Sequence, residues 1–196
     1  MMEVKKAIDF IVKKLRKELP EDLTYHSVDH TVGVIDNAIT IGRAEGLSEK
    51  EMDLLTVAAA FHDSGFLLDY ENHEENGCKL IEQYSSEFGM DSNEVEVVQS
   101  MIMSTKVPQS PENKLEKILC DADLYYLGGK RYEEISQKLY QELKSRGVQI
   151  DSDQWVDTQI EFLSSHTYWT EFSRMQRESG KQKVLKDLRN LVSSGA

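Results

Sequence analysis

Three short segments place metal-ligating and acid–base side chains where local physics does not favour them. His62 and Asp63 directly follow the run Val57-Ala58-Ala59-Ala60-Phe61. A carboxylate at the C-terminal end of an apolar helix meets the negative end of the helix dipole and loses its water, and both costs fall if a cation sits beside it. A metal ion is one such cation, and the His62 ring can bind the same ion. Taken alone, the pair is also a dipeptide that arises by chance. The second segment is Asp121-Ala122-Asp123, embedded between Leu119 and Leu124. With Leu115, Ile118, Leu119, Ala122 and Tyr126 as the inward stripe of a helix, Asp123 falls roughly 80° from its centre and Asp121 roughly 120°. Asp123 is therefore expected to point inward, and an aspartate bonded to a neighbouring helix is the plain alternative. The third segment is Tyr25-His26-Ser27-Val28-Asp29-His30. If Ser27 caps a helix, His30 occupies its first turn on the inner side, and His26 precedes it where free backbone N–H groups attract anions.

The elements that must hold these groups are helices. Only three prolines interrupt the chain, and apolar residues recur at helical spacing almost throughout. Val4, Ile8, Ile11, Leu15 and Leu19 form a first stripe that Pro20 ends. A second helix runs from near Ser27 to about Gly46. A third opens on Ser48 with Glu51 as a capping box, and its apolar stretch Leu54–Phe61 marks it as the central buried helix. Asn72 with Glu75 and Asp91 with Glu94 have the same spacing and open the next two. Ser110 before Pro111 reads as a cap for a helix that reaches Leu127, where Gly128-Gly129 stops it. Further helices are expected over about 131–146, 153–168 and 170–192. The fold class is all-α, about eight or nine helices in a single domain over 1–196, with no repeat and no linker.

Composition narrows the function. Lys and Arg number 23 against 35 Asp and Glu, a net charge of −12, which speaks against duplex nucleic acid as a partner because neutralising phosphates supplies most of that affinity. No apolar run approaches the roughly 20 residues of a membrane span. The N-terminal twenty residues lack the apolar core of a signal peptide. Two cysteines, Cys78 and Cys120, make neither a disulfide framework nor a zinc knuckle, so a cytoplasmic location is expected. Charge is uneven: residues 69–96 carry nine acids against Lys79, whereas the first and last helices are basic. Such runs are usually solvated faces; the alternative is a basic face bordering a phosphate pocket.

Taken in order, His30, His62-Asp63 and Asp123 resemble the H…HD…D signature of the HD superfamily of metal-dependent phosphohydrolases. Their surroundings are similar too: YHSVDHT at 25–31, AAAFHDSGF at 58–66 and LCDADLYYLG at 119–128. The resemblance covers about residues 20–130 as an HD-type metal-binding core, with 131–196 as a C-terminal helical extension packed on it. It implies that His30, His62, Asp63 and Asp123 hold a metal between helices. Two imidazoles and two carboxylates suit Mn, Fe, Ni or Zn better than Mg, which prefers oxygen. Such an ion lowers the pKa of water and polarises a phosphorus centre. One ion is expected to be held tightly, with Asp63 able to bridge to a weaker second. The segment Tyr25-His26 with His30 four residues later also resembles cyclic-nucleotide phosphodiesterases of the same superfamily, which implies that His26 protonates the leaving oxygen. His26 and Asp63 are the catalytic candidates.

Departures from the superfamily's branches matter as well. Ser64-Gly65-Phe66-Leu67-Leu68-Asp69 lacks the Glu-Asp pair of guanosine tetraphosphate hydrolases, and Phe66 stands where the deoxynucleotidase branch has a glutamate. The binuclear cyclic-dinucleotide branch needs two more histidines before the final aspartate, and this chain supplies His73 alone. His73 is a candidate substrate contact, with Lys106, Lys130 and Arg131 as candidate phosphate cations. His166, Tyr168 and Trp169 could line the pocket, although such residues are usually core. The function expected is hydrolysis of a phosphomonoester or phosphodiester of a nucleotide or similar small phosphorylated molecule. A nucleotide-binding regulatory module with the same metal pocket and negligible turnover is the alternative. The substrate and oligomeric state are left open.

Overall fold

A computed structural model describes residues 2–194, and within them the chain forms nine α-helices, three short 3₁₀ turns and no strand. The helices are α1 (Val4–Glu18), α2 (Val28–Ala44), α3 (Glu49–Phe61), α4 (His73–Tyr84), α5 (Ser92–Ser104), α6 (Lys114–Asp123), α7 (Tyr132–Ser145), α8 (Ser152–Ser165) and α9 (Glu171–Ser194). None is long and apolar enough to cross a membrane.

Local sequence explains most of the boundaries. Ser27 caps α2 by accepting from the His30 N–H, and Ser48 and Asp91 each form a reciprocal capping box with the glutamate three residues on. Two expected caps are corrected. Asn72 precedes α4 but its side chain donates to Asp69 instead of capping, and α6 starts at Asn113, not at Ser110-Pro111. Asn113 wins because it forms a full box with Glu116, whose carboxylate also accepts from the Glu112 N–H. The helix also ends earlier than expected: α6 stops at Asp123, and Tyr125–Gly128 forms a 3₁₀ turn.

Every residue of Leu54–Phe61 is buried, so α3 is the central helix and carries His62-Asp63 at its inner end. The apolar faces of α1, α2, α5 and α6 surround it, through Ile11, Ile41, Met101 and Ile118 among others. The same cluster includes Tyr132, Leu163, Tyr168 and Leu185 from the C-terminal segments. Two close backbone approaches lock the periphery. A Cβ on Gly128 would stand 2.0 Å from the Arg177 carbonyl oxygen, so α9 rests directly on the turn after α6. At Gly65 a Cβ would stand 1.8 Å from the His73 carbonyl oxygen, so the turn after His62-Asp63 lies against the start of α4.

Gly65→Ala must therefore push α4 away from Asp63. We expect a loss of about 3 kcal/mol or more in denaturant unfolding, well above an ordinary surface substitution. An unchanged midpoint would mean that the two segments are not pressed together.

Candidate metal centre

Three helix ends bring the candidate ligands together. His30 sits in the first turn of α2, His62-Asp63 ends α3, and Asp123 is the last residue of α6. Their side chains meet although 93 positions separate the first from the last. The Nε2 atoms of His30 and His62 are 3.4 Å apart. Asp63 Oδ2 lies 3.3 Å from the first and 3.1 Å from the second, and Asp123 Oδ1 lies 3.1 Å and 3.8 Å from them. One ligand atom each from His30, His62 and Asp123 falls within 4.8 Å of the others.

The donor chemistry fits a cation. His62 Nδ1 is bonded to the Ala59 carbonyl at 2.8 Å, so that nitrogen is the N–H and Nε2 keeps its lone pair for the centre. The two facing Nε2 atoms satisfy each other only if His30 carries its proton on Nε2. Asp63 Oδ2 is buried and makes no hydrogen bond despite its neighbours. A divalent ion among these atoms would give each of them a partner.

Electrostatics agree. Burial alone would lower the His30 pKa, but hydrogen bonding and charge from Asp123 and Asp63 overcome it and raise the value to about 10. His62 is raised in the same way, against burial, chiefly by Asp63. Burial also works against the Asp63 carboxylate, yet the charge on His62 and the nearby His30 imidazole hold it well below the usual carboxylate range. Protons and a metal ion thus compete for the same two imidazoles.

The HD domain family model matches residues 27–127, more than half of the chain. The chain belongs to the HD domain family. The match contains His30, His62, Asp63 and Asp123, and the family implies a divalent metal site. The crystal structure of a predicted HD superfamily hydrolase from an uncultured Thermotogales bacterium has a similar fold, with a TM-score of 0.61 at 22% identity. The likeness covers 96% of this chain and 92% of that one, so it extends through α7–α9, beyond the family match. No curated protein matches the sequence.

Around the HD ligands, the structure places the other expected residues unequally. His26 lies beside the centre, and its ring faces Phe66 at a centroid distance of 4.4 Å. Phe66 in turn stacks on His73 at 4.0 Å. His73 Nδ1 is bonded to the Tyr70 carbonyl, and Nε2 lies 3.9 Å from Asp63 Oδ1 and 3.3 Å from Glu74 Oε1. His73 therefore stands next to the metal ligands and not out on the acidic surface. Lys106 lies at the edge of a cavity that His26, Asp63 and His73 line, but it pairs with Glu75 at 2.5 Å. Lys130 and Arg131 line a second cavity that His30 and Asp123 also line, and Arg131 is held by Glu134. His166, Tyr168 and Trp169 line neither cavity; Tyr168 is fully buried core.

The two aspartates of α6 divide their work. Asp121 is the more deeply buried, but it accepts from the Trp169 and Thr170 N–H groups and the Thr170 hydroxyl just before α9. It is the aspartate bonded to a neighbouring helix, and Asp123 is the one at the centre. Asn37 of α2 donates to the Ala122 carbonyl at 3.1 Å and so fixes the end of α6 against the helix that carries His30.

Glu142 is a functional candidate that the sequence pattern does not reveal. Its side chain, from α7, is fully buried and accepts from the backbone N–H of Tyr25 and His26 at 2.8 and 3.0 Å. Its other oxygen is 2.5 Å from His26 Nδ1 and accepts from the Tyr70 hydroxyl at 3.3 Å. Although burial opposes ionisation, the bonds to His26 keep the carboxylate below its ordinary pKa. Spacing within a helix cannot disclose a partner 116 residues away. Arg177, from the basic last helix, lines the cavity of Lys130 and packs over the Tyr125 ring at 4.0 Å.

Because His30 and His62 hold protons more tightly than free imidazoles, metal uptake near neutral pH should release protons, and apparent affinity should rise with pH. Calorimetric titration in two buffers of different ionisation enthalpy reads this directly. His62→Ala should abolish tight binding; full occupancy by elemental analysis would remove the imidazole from the ligand set.

Proposed function

We propose that the protein is a metal-dependent phosphohydrolase that cleaves a phosphomonoester or phosphodiester of a nucleotide or similar small phosphorylated molecule. The observation that carries this reading is the pairing of His26 with buried Glu142 beside the His30, His62, Asp63 and Asp123 cluster. A structural metal site has no need of a carboxylate-backed imidazole at its side. The Thermotogales protein of similar fold, a predicted HD superfamily hydrolase, is in keeping with it.

His30, His62, Asp63 and Asp123 would hold the ion, and their mixed nitrogen and oxygen donors favour Mn, Fe, Ni or Zn over Mg. A divalent ion there supplies Lewis acidity toward phosphoryl oxygen and water. Glu142 fixes His26 with its proton on Nδ1, which leaves Nε2 for the cavity. From there His26 donates a proton to the leaving oxygen. Asp63 orients the attacking water through the oxygen nearer His73. Lys130 and Arg177 face the non-bridging phosphate oxygens from the neighbouring cavity. A weaker second cation between Asp63 and His73 is compatible with this arrangement. Two free cysteines, one buried and one half-buried, accord with a cytoplasmic protein.

Phosphate release from a panel of cyclic nucleotides, nucleoside monophosphates and alarmones by metal-loaded protein tests the reading. Glu142→Gln should lower kcat by about 10–100-fold with KM and metal content little changed. Loss of metal in that variant would make Glu142 structural. Tight binding without turnover across the panel would make the pocket a regulatory module.

A further inference from the structure

Two cavities meet at the metal centre, and they differ in chemistry. Tyr25, Asp123 and Tyr126 line both. One, of about 460 Å³, is cationic on its outer side, with Lys130, Arg131, Lys138 and Arg177 against Asp29. Arg131 and Lys138 share Glu134, but among the described residues Lys130 makes no ion pair. Arg177 Nε is buried there without a hydrogen bond. The other cavity, of about 610 Å³, runs from His26 and Asp63 beneath α7 and α8. Its walls are Leu124, Leu127, Leu139, Leu143, Trp155 and Phe162. Its acids, Glu71 and Glu74 with Asp63 and Asp123, outnumber its one lysine, Lys106, which Glu75 already neutralises.

His26 lines the apolar chamber and not the cationic cavity. The oxygen it protonates must therefore leave on the chamber side, while the charged phosphoryl group faces Lys130 and Arg177. We propose that this chamber selects substrates by their leaving alcohol: it takes an uncharged alcohol with a largely apolar body and disfavours polyphosphate leaving groups. This rests on the phosphohydrolase reading. In the step, water forms the new P–O bond and leaves its protons on the phosphate, the ester P–O bond breaks, and the departing oxygen takes its proton from His26, which regains one from solvent. The products are the free alcohol and phosphate. A phosphate or pyrophosphate leaving group would instead bring several negative charges into a space lined by Glu71 and Glu74, where the one lysine is already paired.

Alkyl phosphates test this, since their leaving groups share one intrinsic reactivity. For metal-loaded protein, kcat/KM should climb from ethyl to butyl to hexyl phosphate, approaching about fourfold per methylene where burial is complete. Inorganic pyrophosphate should be cleaved at least tenfold less efficiently than hexyl phosphate. Thr158→Glu, a charge added at an exposed part of the chamber wall, should lower the hexyl-to-ethyl ratio. A flat alkyl series, or pyrophosphate as good as hexyl phosphate, would overturn the proposal. Should no ester turn over, calorimetry with ethyl and hexyl phosphonate separates the two readings. Tighter hexyl binding would keep the chamber's selectivity and sink hydrolysis, whereas equal affinity would overturn the chamber.

Discussion

The constraint on which the structure depends is the burial of two carboxylates and two imidazoles against one another at the inner end of α3. Asp63 is 6% exposed and His62 1%, at the end of the most apolar helix of the chain. Removing such groups from water is costly unless opposite charge accompanies them. Here the compensation is mutual: protons on His30 and His62 offset Asp63 and Asp123, and a divalent ion offsets them more fully. The centre is thus charged whichever cation occupies it, and the helices around it must be rigid enough to keep like groups from drifting apart.

Polar bonds add to the apolar packing in supplying that rigidity. Ser27 fixes the first turn of α2, Asn37 ties α2 to α6, and Asp121 ties α6 to the start of α9. Phe66, wedged between the His26 and His73 rings, aligns the two histidines that flank the centre. Ser27 acts within its own helix, whereas Asn37 and Asp121 join segments far apart in sequence.

How much of this is legible in the sequence follows from the range of the interactions. Helices with strong local signals, such as α3 behind its Ser48–Glu51 box, stand where periodicity places them. Ser110-Pro111 misleads because a local cap preference loses to Asn113, whose box with Glu116 holds both the turn and the helix. Asp123 reaches the centre, as its angle to the apolar stripe of α6 implies. Asp121 is nevertheless the deeper of the two, because α9 covers a face that the stripe leaves outside. His26 is recognisable by its neighbourhood, whereas Glu142 is not, since nothing in the pattern of α7 distinguishes a buried glutamate from the exposed glutamates beside it.

The position of Glu142 and Trp155 on α7 and α8 has an evolutionary consequence. The family match ends at residue 127, before either helix begins, so the part of the larger cavity's wall that α7 and α8 supply lies outside the stretch that carries His30, His62, Asp63 and Asp123. Drift in the later stretch can retune what enters without disturbing the ion. Substitutions on α7 and α8 would reshape that wall while His30, His62, Asp63 and Asp123 stay as they are.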